Sequence, residues 1–249
     1  MSRDSLANNN ILITGAAHRI GAQIATTLHE NGANIVLHYR NSKSAAEELQ
    51  ARLHNQRPDS VFLVQGDLLD TTQLDGIIKQ AIEQVDHLDV LINNASTFYP
   101  TVVGSVNEEQ WDDLMGTNLK APFFLAQAAS PYLRERQGSI INIVDIHADR
   151  PLKAYPVYSM AKAGLVMMTR ALAGELGPEV RVNAIAPGAI MWPENNMDKE
   201  TMEKIISRTL LKRKGNANDI AKTALFLIKD ALYMSGQVLT VDGGRSINS

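Results

Sequence analysis

The chain has 249 residues, no cysteine and a formal net charge of −3, from 24 basic and 27 acidic side chains. This length is sufficient to bury roughly 70–75% of the unfolded surface, and the missing cysteines exclude disulfides, thiol catalysis, iron–sulfur clusters and cysteine zinc sites. The nearly balanced charge argues against general binding to nucleic acid or to an anionic membrane, and no apolar run approaches the ~18 residues of a membrane span.

The segment ahead of the first apolar run, residues 1–9, is polar and predicts a short N-terminal tail. It lacks the apolar core of a signal peptide, so we expect a soluble, cytoplasmic protein. The six histidines show no spacing typical of metal ligands, and no metal site is expected.

Short apolar runs alternate with longer amphipathic stretches along the chain. Most of the runs are apolar on both faces, as in strands covered by helices on each side of a parallel sheet. The predicted strands are Ile11–Ile13, Ile35–Leu37, Val61–Val64, Val90–Ile92, Ile140–Val144, Val180–Ile185 and Val238–Val241. The alternation predicts a single domain, residues 1–249, with a doubly wound α/β sheet of about seven strands flanked by helices.

The helical patterns lie between these runs. In the first, Ile20, Ile24 and Leu28 recur at helical spacing, and Asn31-Gly32 supplies a stop signal. The others are Ser44–Asn55, Thr72–Val85, Gln110–Arg136, Val157–Leu176 and Asn218–Ile228. The pattern over Gln110–Arg136 contains Pro122, where a helix bends or breaks. Residues 188–210 interrupt the alternation and predict a lid loop with a short helix over a substrate site.

The turn after the first strand, Thr14–Gly21, carries small residues at a strand-to-helix junction. Such a turn lets a dinucleotide pyrophosphate approach backbone N–H groups at a helix N-terminus. The full G-x-G-x-x-G fingerprint is absent, because Arg19 stands between Gly15 and Gly21. The position of the turn favours nucleotide binding, although close packing of helix on strand would also require these glycines.

The end of the second strand indicates which nucleotide binds. NAD sites usually place Asp or Glu here, but this chain has no acid among residues 38–43 and instead has Arg40, Ser42 and Lys43. A guanidinium holds an adenosine 2′-phosphate that a carboxylate would repel, so the sequence favours NADP over NAD. The alternative is a solvated strand end.

Two further segments follow predicted strands, at the sheet edge where α/β proteins bind ligands. Asp67 could accept a hydrogen bond from an adenine amino group, and Asn93–Ser96 could line the two riboses. Each alone is more often a turn former.

Tyr158 and Lys162 are four residues apart in a helical pattern and therefore share a face. Such a pair is common by chance, and alone it indicates an aromatic side chain packed beside a surface cation. Here it follows Asp145, at a strand end, and Asn118, in the long helical region.

Together these motifs resemble the short-chain dehydrogenase/reductase family over essentially the whole chain. The matching residues are Thr14-Gly15 with Gly21, Asp67, Asn93-Asn94-Ala95, Asn118, Tyr158 with Lys162, and Pro187-Gly188. The resemblance implies a Rossmann-type sheet, a nicotinamide cofactor and a homotetramer. It also implies that Tyr158 donates a proton and that Lys162 holds the nicotinamide ribose and lowers the Tyr158 pKa. Asn118 would hold a helix bend and a relay water.

By the same resemblance, a set of residues would contact NADPH. These are Gly15, Arg19, Ile20, His38, Tyr39, Arg40, Ser42, Asp67, Leu68, Asn94, Ala95, Ser96, Tyr158, Lys162, Pro187 and Gly188.

Two departures from the family pattern narrow the chemistry. Asp145 stands where the family usually has a serine that stabilises a developing alkoxide, and a carboxylate would repel that charge. It suits a substrate that offers N–H donors, or a C=N bond whose nitrogen needs a proton. Arg19, in place of a glycine, could contact pyrophosphate and substrate together. Both departures are similar to the pteridine reductase subgroup.

That likeness includes the local strings Leu37–Arg40, Asn93–Pro100 and Tyr155–Lys162. It implies NADPH-dependent reduction of dihydropterins, extending to oxidised pterins or folates, with Asp145, Tyr158, Lys162 and Asn118 as the catalytic set. The pterin would stack on Phe98 and contact residues drawn from several segments. These are Arg19, Ser96, Phe98, Asp145, Tyr155, Tyr158 and Trp192.

Two other functions stay open. One is a ketone or 3-oxoacyl-thioester reductase of the same family, and the other is a non-catalytic NADP sensor, against which the intact proton-donor set argues. Asp242-Gly243-Gly244 predicts a turn after the last strand, at a subunit contact.

Overall fold

A computed structural model describes residues 5–190 and 198–248. Seven parallel strands form one sheet in the order β3-β2-β1-β4-β5-β6-β7. They are β1 Asn10–Ile13, β2 Asn34–Tyr39, β3 Val61–Gln65, β4 Val90–Asn93, β5 Ser139–Ile143, β6 Arg181–Pro187 and β7 Val238–Val241. The predicted doubly wound sheet is confirmed, since all seven apolar runs form strands.

Helices cover both faces of this sheet. They are α1 Arg19–Glu30, α2 Lys43–His54, α3 Leu74–Val85, α4 Glu108–Met115, α5 Ala121–Glu135, α6 Pro156–Leu176, α7 Lys199–Ser207 and α8 Ala217–Lys229. Alternate side chains of β1 feed separate cores: Ile11 and Ile13 join α1 and α8 in one, and Leu12 joins α3 and α5 in the other. The strands are apolar on both faces because each face packs against its own layer of helices.

The first helix ends as its stop signal predicts. α1 closes at Glu30, and Gly32 follows with φ +100°, the left-handed backbone that glycine adopts without a side-chain clash.

The long helical pattern is interrupted slightly earlier than predicted. α4 and α5 are separated by a π-helical turn, Gly116–Lys120, and Pro122 lies at the start of α5. Pro122 has no N–H to donate to the carbonyl of Asn118, four residues earlier, so regular α-helix is disfavoured just before it. The predicted break is real, but its irregular turn precedes the proline.

The predicted N-terminal tail is wrong for residues 5–9. Leu6 is completely buried in a core, its N–H donates to Asn31 O at 2.9 Å, and Asn9 O accepts from Asn34 N at 2.8 Å. This apolar side chain fixes the segment against the turn between α1 and β2.

The predicted lid region, residues 188–210, contains α7 as its short helix. Trp192 lies outside the described residues, so its predicted place in the substrate site remains a prediction. Among the residues that the structure describes, no helix is both long and apolar enough to cross a membrane.

The strand order reverses direction between β1 and β4, because β2 and β3 extend one way and β5 to β7 the other. In open α/β sheets a crevice forms at the carboxyl ends of the strands at this point. The residues singled out from the sequence follow β1, β2, β3, β4, β5 and β6.

Candidate active site

A cavity of about 1100 Å³ lies at this sheet edge. Of the predicted site residues that the structure describes, all but Lys43, Asn93 and Asn118 line it, and Asn118 is buried and accepts a hydrogen bond from Ser96. Small-molecule sites typically enclose ~300–1000 Å³, so the cavity has room for a dinucleotide and a second small molecule.

The turn between β1 and α1 is packed tightly against the end of β4. Gly15 has φ +60°, and a Cβ there would lie 2.9 Å from Ala95 Cα. A Cβ on Gly21 would lie 2.6 Å from Asn94 Nδ2, which donates to the carbonyls of Thr14 and Gly15 at 2.8 and 3.0 Å. Both glycines therefore serve packing, the alternative recognised in the sequence.

The same turn also leaves a helix terminus open. His18, the N-cap of α1, makes no side-chain capping bond, and the first residues of α1 line the cavity. Uncapped N–H groups at a helix N-terminus are suited to a phosphate. The two explanations for the glycines are thus compatible.

Arg19 stands where the fingerprint has a glycine, and its backbone has the left-handed conformation that glycine usually adopts. Its φ is +53°, in the left-handed region that costs a non-glycine residue about 1–2 kcal/mol. Strain of this kind persists where the surrounding structure enforces it, commonly at ligand sites.

His38, at the end of β2, supports the turn from below. Its Nδ1 accepts from Gly15 N–H at 3.3 Å, and its Nε2 lies 3.2 Å from Gly66 O, so the hydrogen is on Nε2. Burial lowers the His38 pKa to about 4. His38 is therefore neutral and positions the turn.

Arg40 is the cation that the end of β2 places at the cavity. Its Nη1 lies 3.7 Å from Asp67 Oδ1, and both side chains are about half exposed. The Ser42 hydroxyl makes no capping bond to α2. Lys43, also expected here, pairs with Glu47 one helical turn away and does not line the cavity.

Tyr158 and Asp145 form a direct hydrogen bond. Tyr158 Oη donates to Asp145 Oδ2 at 2.8 Å, and Asp145 Oδ1 accepts from His147 N–H at 2.8 Å. Burial raises the pKa of Tyr158 well above its ordinary value, the Asp145 charge and hydrogen bond raise it further, and Ser96 opposes them. The phenol is therefore protonated at neutral pH.

The expectation that Lys162 lowers the Tyr158 pKa is not met in this structure. Lys162 Nζ lies 5.8 Å from the centre of the Tyr158 ring and donates to Ile143 O at 3.0 Å. Burial and the adjacent Asp145 set the direction of the Tyr158 pKa shift.

Lys162 is itself an unusual group, with only 2% of its surface exposed. Burial lowers its pKa to about 8, while Asp145 opposes this shift. Among the described residues, its ammonium donates one hydrogen bond, although it carries three donors. A buried donor in the cavity wall fits a hydroxyl-rich ligand such as a ribose.

Asn118 joins the π-helical turn to the cavity. Its Nδ2 donates to Leu114 O at 2.9 Å and to Thr97 O at 3.0 Å, and its Oδ1 accepts from Ser96 Oγ at 2.6 Å. It therefore secures the bend and fixes Ser96.

Three aromatic rings form one side of the substrate half. Phe98 stacks on Tyr155 with centroids 4.6 Å apart, and the Phe98 and Tyr158 rings are nearly perpendicular with centroids 4.8 Å apart. Phe98 remains 44% exposed, so it offers apolar surface to a ligand.

The sequence predicted that residues 188–210 cover the substrate site, but it did not single out several side chains of the cavity wall. The additional side chains include Thr201, Lys204, Ile205, Arg208 and Arg245. Those on and after α7 recur at intervals of three, four and seven residues, a helical spacing that could have identified an inward face. Arg245 had no signal of its own.

Comparison with known proteins identifies the family. A family model described as "Enoyl-(Acyl carrier protein) reductase" matches residues 15–246, which include the glycine turn and the Tyr158–Lys162 pair. The chain belongs to the short-chain dehydrogenase/reductase family. It is an oxidoreductase of a family whose reductases use nicotinamide cofactors, which favours an enzyme over a sensor.

Similar proteins of this family have different substrates in their names. The 3-oxoacyl-[acyl-carrier-protein] reductase FabG of Staphylococcus aureus (strain Mu50) is 36% identical over 237 residues, covering 94% of this chain and 96% of FabG. Pteridine reductase 1 of Leishmania tarentolae is 34% identical over 279 residues, covering 95% and 96%. The probable galactose dehydrogenase GalD of Rhizobium meliloti is 32% identical over 248 residues, covering 96% and 95%. These identities favour the oxoacyl reductase slightly and leave the pteridine subgroup unspecified.

Proposed function

We propose that this chain, as one reductase domain, uses NADPH to reduce a C=N bond of a pterin. The observation that carries the proposal is the 2.8 Å hydrogen bond between Tyr158 and Asp145. A carboxylate at this position repels the oxyanion that forms from a ketone, but it accepts hydrogen bonds from the ring N–H and amino groups of a pterin.

The described residues fit a nicotinamide cofactor, since an uncapped helix terminus and the buried Lys162 ammonium line one cavity. Gly15, Ile20 and the α1 terminus would hold the pyrophosphate, and Lys162 a ribose. Arg40 and Ser42 would hold the 2′-phosphate that distinguishes NADPH. When bound, the cofactor supplies the hydride.

Tyr158 has the properties of the proton donor. Its raised pKa keeps the phenol protonated, and Asp145 fixes the direction of the Oη–H bond. After the proton moves to a ring nitrogen, the Lys162 ammonium near the tyrosine ring offsets the negative charge left behind.

The aromatic cluster suits a flat heterocycle. Phe98 and Tyr155 present stacked rings beside the Tyr158 hydroxyl, and Arg19 and Ser96 line the same cavity. Offset stacking adds about 0.5–1.5 kcal/mol beyond area burial and orients a planar ring.

Reduction of a 3-oxoacyl thioester is the second candidate, and the FabG identities support it. The two functions predict opposite roles for Asp145. In a carbonyl reductase this carboxylate hinders the reaction, and a serine would assist it.

Steady-state NADPH oxidation with dihydrobiopterin, dihydromonapterin, dihydrofolate and acetoacetyl-CoA tests the choice. We expect turnover of a pterin, and we expect Asp145→Ser to reduce its kcat by about 100-fold or more. The matched control is Asp149→Ser, an exposed carboxylate outside the cavity. Absence of turnover with every pterin, or acetoacetyl-CoA reduction that Asp145→Ser improves, would reject pterin reduction.

We also retain the homotetramer as a proposal. Light scattering coupled to size-exclusion chromatography measures the mass directly, and a monomer would reject it.

A further inference from the structure

Three cations line the cavity on the side of α7. Lys204 and Arg208 follow one another by a helical turn, and Arg245 comes from the segment after β7. We call these three residues the cationic wall. They lie apart from Arg40, which is at the end of β2.

Arg245 is held in place by a turn that the proposed reaction does not otherwise use. Asp242 Oδ1 accepts from Gly244 N–H at 2.8 Å, and Oδ2 accepts from Ser246 N–H at 2.6 Å. Gly243 and Gly244 have φ of +63° and +80°. Left-handed backbone at two successive positions requires glycine, so the Asp-Gly-Gly sequence fixes where Arg245 leaves the turn.

This turn is also joined to the cofactor side of the cavity. Gly188 N–H donates to Val241 O at 3.0 Å, and a Cβ on Gly188 would lie 2.5 Å from Asp242 Cβ. The Arg245 guanidinium is thus carried by a packed segment at the cavity wall.

Arg245 interacts electrostatically with both Asp145 and Arg208. Burial lowers the pKa of Arg245, Asp145 opposes that shift, and Arg208 adds to it. In the described part of the chain, no carboxylate lies within 4 Å of either guanidinium. Charge therefore changes from negative at Asp145 to positive along the cationic wall.

We propose that Arg208 and Arg245 bind a carboxylate on the part of the substrate that lies away from the reacting ring. The inference rests on the proposed pterin reduction and names its substrate class. The hydrogen-bond donors of the ring face Asp145, and an acidic side chain faces the cationic wall. A dihydropterin with a glutamate-bearing substituent, as in dihydrofolate, has this order of groups. Arginine is suited to the task because its guanidinium binds carboxylates through two parallel hydrogen bonds.

The test compares a substrate that has the carboxylates with one that lacks them. Kinetic constants are measured for dihydrofolate and dihydrobiopterin with wild-type enzyme, Arg208→Gln, Arg208→Lys and Arg245→Gln. We expect Arg208→Gln to lower the ratio of kcat/KM for dihydrofolate to that for dihydrobiopterin by about tenfold or more, mainly through KM. Arg208→Lys should restore part of the ratio.

Arg213→Gln is the matched control. It removes the same charge from the same segment, but Arg213 is exposed, lies 3.9 Å from Asp219 and does not line the cavity. The ratio should stay within about twofold of wild type, since surface substitutions have small effects. Because Arg245 interacts electrostatically with Asp145, Arg245→Gln is expected to change kcat/KM for both substrates as well as their ratio.

The outcomes separate this proposal from the one on which it rests. If dihydrobiopterin is reduced but Arg208→Gln leaves the ratio unchanged, the carboxylate site is rejected and pterin reduction stands. If neither pterin is reduced, both are rejected. If Arg208→Gln instead lowers kcat/KM only for acetoacetyl-CoA, the cationic wall binds phosphate groups and the carboxylate assignment is wrong.

Discussion

The two ends of the cavity are built in different ways. At the cofactor end, Gly15 and Gly21 fit without space for a side chain, and the neutral His38 supports their turn. At the catalytic end, a buried phenol and a buried ammonium lie near the partly buried Asp145 carboxylate, and burial shifts the pKa of Tyr158 and Lys162 in opposite directions. Shape thus governs the cofactor end, and charge governs the catalytic end.

The largest effect should come from removing the phenol at the catalytic end. Tyr158→Phe keeps the ring and deletes the hydroxyl that donates to Asp145 and supplies the proton, so kcat should fall by about 1000-fold. NADPH binding, measured by fluorescence titration, should persist. The control is Tyr233→Phe, on a fully exposed side chain. A Tyr158→Phe enzyme with a wild-type kcat would contradict the assignment of the chemistry to the catalytic end.

Lys162→Met, at the catalytic end, should raise stability while it lowers activity. A pKa lowered from 10.5 to about 8 corresponds to a burial cost of about 3 kcal/mol, and the lost bond to Ile143 O offsets about 1 kcal/mol. The free energy of unfolding at pH 7 should therefore rise by about 2 kcal/mol, while kcat falls.

The pH dependence of the free energy of unfolding tests the direction of this effect. Between pH 8 and 10.5 the unfolded chain keeps a proton that folded Lys162 has released, so wild-type stability gains from this group as pH rises. Urea unfolding should show the advantage of Lys162→Met shrinking across that window. Lys153→Met, at an exposed lysine, should show no such trend. A methionine variant that is less stable at pH 7 would contradict the burial cost.

At the cofactor end the smallest effect is expected. Arg40→Gln should raise the KM for NADPH by about tenfold, leave kcat near wild type and leave the KM for NADH unchanged, because only NADPH carries the 2′-phosphate. Arg40 is also 3.7 Å from Asp67, which limits the loss. Lys43→Gln is the neighbouring control, since Lys43 pairs with Glu47. Equal changes for both cofactors would exclude a phosphate contact.

The fold was largely predictable, because two-sided apolar runs such as Ile11–Ile13 have few alternatives to a covered parallel sheet. Leu6 was missed, since a single apolar residue in a polar segment carries no periodic signal. The residues that gather at the cavity were predictable from their places after successive strands. The direction of the Tyr158 pKa shift was not, because it depends on burial and on Asp145, thirteen residues earlier in the chain.

The cationic wall shows what could not be predicted from the sequence. α7 presents its inward face by a spacing that can be read locally, but whether that face meets a cavity is decided by packing. Arg245 follows the Asp242 turn, which packs against Gly188 at the cavity wall. Such long-range contacts leave no pattern in a single sequence.

The π-helical turn at Gly116–Lys120 sets the rotational phase between two helices. Each residue of an α-helix advances the side-chain direction by about 100°, so one residue more or fewer in this turn rotates everything after it by that angle. Leu125, Ala129 and Leu133 of α5 are buried against the sheet in the present phase. Removing one residue from the turn would swing that stripe off the sheet and carry Asn118 away from Ser96. Chain length at this point therefore couples the fit of a core helix to the position of a hydroxyl in the cavity.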